Sequence, residues 1–194
     1  MNRTNSFVFM LALSMLSLVA VAQTTPFKGI VTGDDVYVRS GPSQSYYDIA
    51  KAQTGDIVEV VDLMHSWYVV KTPKGTYSYI SKQYVDLAAD GKTGTVTGNR
   101  VRVRAPSKAG PTIEQSYKSQ LKLDRGAKVE VIGEAGSFYK ITPPEGAMAY
   151  IHSDYIRQAT PGEIAAATQA TEDATEVVAT TTTTVETTEA VTEQ

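Results

Sequence analysis

The 194-residue chain has no cysteine. That one absence excludes disulfides, thiolate metal sites, a cysteine nucleophile and a lipid-modified N-terminal cysteine, so packing alone must hold the folded part together. Histidine is scarce. His65 falls in a polar turn before Trp67, and His152 lies far away in the chain. Their unrelated positions argue against a shared metal site or a catalytic pair. Ser40 and Ser43 have no base placed to activate them, which a serine hydrolase requires. The chain is therefore expected to be no enzyme and to need no cofactor or metal.

Positive charge is missing from one end. Beyond Arg157 there is no Lys, Arg or aromatic residue, while Glu163, Glu172, Asp173, Glu176, Glu186, Glu189 and Glu193 are all acidic. Residues 159–194 are rich in Thr and Ala and include the run Thr180–Thr184. A segment so poor in large apolar side chains is expected to be a disordered or weakly helical acidic tail. At its start, Thr160-Pro161-Gly162-Glu163 reads as an N-cap, a first-turn proline and a capping glutamate, with a helix over Ile164–Val178.

One apolar run is present, Phe7–Ala22, FVFMLALSMLSLVAVA. It is short for a membrane span, which needs roughly 20 residues. Its end, Ala20-Val21-Ala22, has the small-x-small pattern of signal-peptide cleavage. Residues 1–22 are read as a signal peptide, against the alternative of a retained anchor helix. The product would start near Gln23 and act in the periplasm, the cell envelope or outside the cell, with no stable membrane anchor. Between the two ends the body carries 17 basic and 14 acidic residues, a net +3 within a chain of net −3. Nothing in that balance points to nucleic acid.

The body is an internal repeat. Val31–Arg39, VTGDDVYVR, aligns with Val96–Arg104, VTGNRVRVR, and Gly55–Val85 aligns without a gap on Gly126–Ile156. In the second match Trp67-Tyr68 meets Phe138-Tyr139, Tyr79-Ile80 meets Tyr150-Ile151, and Tyr84-Val85 meets Tyr155-Ile156. The second copy has a longer loop after Pro106-Ser107. Period-two alternation in VYVR, DIVEVV, WYVVK and YSYIS, and in their counterparts, marks short strands separated by Gly and Pro. Thr72-Pro73-Lys74-Gly75 and Pro144-Glu145-Gly146 read as hairpin turns. Five or so strands in about 60 residues can bury a core only by curling into a small barrel.

These motifs together resemble the bacterial SH3 (SH3b) domain. The opening Val36–Ser43, the central Gly55–Val60, the strand Trp67–Val70 and the closing Gly75–Val85 follow the family pattern, as do Val101–Ser107, Gly126–Val131, Phe138–Ile141 and Gly146–Ile156. Tyr79 and Tyr150 stand where the family often has Trp, and the second copy has Phe138 for Trp67 and lacks the glycine before Pro106. The expected architecture is all-β, with two tandem SH3-like β-barrels at 27–87 and 94–158, a linker at 88–93 and the tail at 159–194.

The resemblance implies a binding module for peptidoglycan peptides or another extracytoplasmic peptide. The alternative is a protein–protein scaffold of the cell envelope, with the tail as spacer or docking segment. The partner would be peptidoglycan or an envelope protein. A peptide groove needs exposed aromatics and a few orienting polar groups, and the candidates are Arg39, Tyr46, Tyr47, Trp67, Tyr68, Tyr79, Tyr84 and Tyr117. Alternation in strands sends about half of the aromatics inward, so Trp67 and Tyr79 are expected in a core more than in a groove. Tyr46 and Tyr47 lie in a loop, and Tyr117 is the second copy's counterpart of Tyr47. Arg100, Arg102 and Arg104 share one strand face, usually a solvated one and less often an anion contact.

Overall fold

Alternation along the chain becomes alternation between core and solvent. In β2 (Val36–Arg39) and β9 (Val101–Arg104) the valines are buried while Tyr37 and Arg102 face solvent. The computed structural model describes residues 25–108 and 116–169; the expected signal peptide at 1–22, residues 109–115 of the second copy's longer loop and the tail beyond residue 169 lie outside them. The remaining strands are β1 (Phe27–Val31), β3 (Asp48–Ala52), β4 (Ile57–Met64), β5 (Trp67–Lys71), β6 (Ser78–Ser81), β7 (Val85–Leu87), β8 (Thr93–Val96), β10 (Ser119–Leu123), β11 (Lys128–Ala135), β12 (Phe138–Ile141), β13 (Met148–His152) and β14 (Ile156–Gln158). A single 3-10 turn follows β6 at Lys82–Tyr84, and its counterpart follows β13 at Ser153–Tyr155.

The strands form two seven-stranded antiparallel sheets, so the chain is an all-β, SH3-like protein. The strand count exceeds the five expected. β1 is interrupted by Gly29, β3 reads DIAKA, and β7 and β14 are three residues each, too short or too weakly patterned to register. Each sheet wraps its own core. Residues of the edge strands β3 and β14, Ile49 and Ile156, share one cluster with Val38, Val60 and Ile151, which shows that the first sheet curls on itself. The second cluster gathers Ile80, Val96, Val103, Val131 and Ile141.

The two barrels are not the two repeats. The first sheet runs β14-β1-β4-β5-β13-β2-β3, and the second runs β10-β9-β6-β12-β11-β8-β7. Each copy therefore hands its last two strands to the other. β13 lies between β5 and β2, with Ile151 opposite Tyr68 and His152 opposite Trp67. β6 takes the equivalent place between β12 and β9. Ile151 and Ile80, both fully buried, thus fill the barrel of the opposite copy.

This exchange corrects two expectations. The boundaries 27–87 and 94–158 describe sequence copies, and neither range holds a complete barrel. The segments at Pro73–Gly75 and Pro144–Gly146 do turn, with Thr76 and Ala147 N–H donating to the carbonyls of Pro73 and Pro144. They join no hairpin, because β5 and β6 sit in different sheets. At the crossing Gln120 acts as a clasp: its carbonyl accepts from the Ser78 hydroxyl at 2.7 Å, and its amide donates toward Thr72 Oγ1 and the Met148 carbonyl. The 88–93 segment also differs from a spacer. It is a tight loop between paired β7 and β8, and the Asp90 carboxylate accepts the Lys92 and Thr93 N–H groups. Those bonds hold the Asp90 carboxyl down at about 2.

The N-cap at Thr160 forms as the sequence predicts. The Thr160 N–H donates to the Glu163 carboxylate at 2.8 Å, and Arg157 reaches the same carboxylate from β14. A helix follows over 161–169, shorter in its described part than the expected Ile164–Val178.

Candidate peptide-binding groove

The strand exchange builds a groove of about 370 Å³ on the first barrel. Its floor is Trp67, at the start of β5, with Val36 beside it; its walls come from both copies. Asp34, Asp35, Tyr37, Arg39 and Gln44 belong to the first copy, and His152, Asp154 and Tyr155 to the second. His152 reaches Trp67 because β13 pairs with β5 in that register, and the two rings meet edge to face at 5.1 Å. His152 also caps the 3-10 turn by accepting the Asp154 N–H. That turn carries Tyr155 over Gly33, where a Cβ would come within 3.1 Å of the Tyr155 ring. A side chain at position 33 would require Tyr155 and Val36 to yield by a few tenths of an ångström.

The polar groups are held as firmly. The Asp34 carboxylate accepts from Thr54 Oγ1 at 2.7 Å, and the Asp35 carboxylate from the Gln53 amide at 2.9 Å. Asp35 takes a left-handed backbone conformation, φ 53°. The Arg39 guanidinium donates to the Tyr46 carbonyl at 2.7 Å and lies 4.8 Å from the centre of the Tyr37 ring. Lys51 covers the same ring at 3.1 Å. Tyr37 and Tyr155 are about half exposed, at 48 % and 47 %. The groove therefore combines two half-exposed aromatic rings, one of them under Lys51, with a tryptophan edge, three carboxylates and one guanidinium.

Of the sequence candidates, Trp67 and Arg39 enter this groove. Tyr84 lies over Gly98 in the corresponding place on the second barrel. The others lie outside this groove. Tyr47 is a strut between the barrels: its hydroxyl donates to the Ala105 carbonyl at 3.0 Å and accepts the Lys118 N–H at 3.1 Å. Burial pushes its pKa up. Tyr117 packs edge to face on Tyr47, and Tyr46 lies under Lys118 and against Gly41. Tyr68 packs on Phe27 beside the first core. Tyr79 is 3 % exposed, and burial with the neighbouring Tyr77 hydroxyl holds its own hydroxyl at about 12, so it presents nothing to a ligand.

Sequence reasoning passed over Tyr37, Asp34, Asp35, His152, Asp154 and Tyr155. Tyr37 was legible as the outward residue of an alternating strand. The last three were not, because only the exchange brings them to Trp67. Among the described residues no cluster of His, Asp and Glu is arranged to hold a metal ion.

Residues 34–86 match the bacterial SH3 domain family. That stretch spans β2 to β7, so the unit of sequence similarity ends in two strands that lie in the other barrel. No curated protein matches the chain.

Proposed function

We propose that this chain is an exported, non-catalytic binding protein whose two SH3b-type units hold peptidoglycan peptides or another extracytoplasmic peptide. The observation that carries the reading is the groove around Trp67. An extended peptide can lay its backbone and apolar groups on Tyr37, Tyr155 and the Trp67 edge, which contribute contact area and ring stacking. Asp34, Asp35 and Asp154 suit a ligand amine, and Arg39 suits a carboxylate.

Co-sedimentation of the chain from Gln23 onward with purified peptidoglycan sacculi tests this. Saturable binding is expected, and a Tyr37→Ala, Tyr155→Ala double variant that keeps its thermal melt should lose most of it. No sedimentation above a control protein would end the wall-binding reading and turn the search to envelope proteins.

A further inference from the structure

The two barrels are framed alike and charged oppositely. Phe138 stands opposite Ser81 as Trp67 stands opposite His152, Arg104 pairs with Tyr79 as Arg39 pairs with Tyr150, and Tyr84 lies over Gly98 as Tyr155 lies over Gly33. Onto that common frame the first barrel puts Asp34, Asp35, Tyr37 and Asp154. The second puts Asn99, Arg100, Arg102 and Gln83 at the matching positions. Where Tyr37 stacks under Lys51, Arg102 sits directly opposite Lys122, and both are exposed. Like charges directly opposite in a sheet are destabilising, so this pair does nothing for the fold. Among the described residues no ion pair involves Arg100, Arg102, Arg104 or Lys122. Arg104 is held 5.1 Å from the centre of the Phe138 ring, and the Asp124 carboxylate beside this face accepts the Arg100 N–H.

We propose that this face of the second barrel is a docking surface for an extended acidic peptide, and that its occupant is the chain's own C-terminal segment, residues 170–194. The segment has the complementary chemistry: Glu172, Asp173, Glu176, Glu186, Glu189 and Glu193, with no basic residue. It follows directly on residue 169, the last described residue. Its 25 residues can extend to about 80 Å, ample to reach the neighbouring barrel. Single exposed ion pairs are weak, but tethering supplies an effective concentration in the millimolar range, at which several weak contacts suffice. The contact occupies the second barrel's site in the free protein and leaves the Trp67 groove open.

The test uses the full chain and a fluorescein-labelled decaglutamate peptide followed by anisotropy at low salt. Neutralising the six C-terminal acids to Gln and Asn should free the face, and that variant should bind the probe at least ten-fold tighter than the unaltered chain. Adding Arg102→Glu and Lys122→Glu should abolish binding; both side chains are exposed, and an unchanged thermal melt verifies the fold. Equal binding by the neutralised and unaltered chains would overturn the C-terminal segment as occupant and leave the face to a separate acidic partner. Absence of binding by the neutralised chain would overturn the docking surface itself.

Discussion

Replacing Ile151 by Ala should destabilise the barrel that contains Trp67, although Ile151 belongs to the other repeat. Its side chain is fully buried in the first core, on the strand that pairs with Tyr68. Truncating a buried Ile to Ala costs about 2–5 kcal/mol, through lost transfer energy and the cavity left behind. With a urea m-value of about 2 kcal/mol/M, central for small domains, the midpoint should fall by about 1–2.5 M. Trp67 is the sole tryptophan and is itself buried against His152, so its fluorescence reports chiefly on the first barrel. Ile80→Ala is the control, because Ile80 fills the second core from the first repeat. Its larger effect should appear in the far-UV circular dichroism, with a smaller one on Trp67. A second arm uses the absence of native cysteine: Lys71→Cys with Met148→Cys should oxidise readily, since these residues are direct cross-strand partners and antiparallel partners lie at disulfide range. A Trp67 midpoint untouched by Ile151→Ala, with no disulfide between 71 and 148, would refute the exchanged topology.

Two further outcomes follow from local geometry. Tyr47→Phe removes the hydroxyl that joins Ala105 to Lys118 and leaves a half-buried carbonyl and N–H without their partner; a loss of about 1–3 kcal/mol in chemical denaturation is expected, and no loss would deny Tyr47 its role as a strut. The Glu163 carboxyl is held at about 2, against 4.5 for an ordinary glutamate, first by Arg157 and then by the Thr160 N–H and hydroxyl. A depressed folded-state pKa means the cap contributes fully above about pH 4.5 and is lost as pH falls toward 2. The Thr160 amide resonance should shift with a midpoint near 2, and a midpoint near 4.5 would show the carboxylate to be free.

Sequence alone determined the material of this protein. Alternating valines in VYVR and VRVR determined two buried strand faces, the 65- and 71-residue offsets determined two copies, and Thr160 with Glu163 determined a helix start. These are local signals, written in period two or in a four-residue cap, and they survive any arrangement of the strands. Which copy closes which barrel is not local. Tyr79-Ile80 and Tyr150-Ile151 carry the same pattern, so either could complete either barrel with the same alternation and equivalent apolar side chains. The tertiary structure decided it through the path of the chain at Thr72–Tyr77 and the clasp at Gln120, where short crossings send β6 and β13 outward instead of back. That choice gives Trp67 a histidine, an aspartate and Tyr155 as neighbours instead of Ser81, Gln83 and Tyr84. It sets the charge of each groove, because the last strand and turn of a copy bring their side chains to whichever barrel they join.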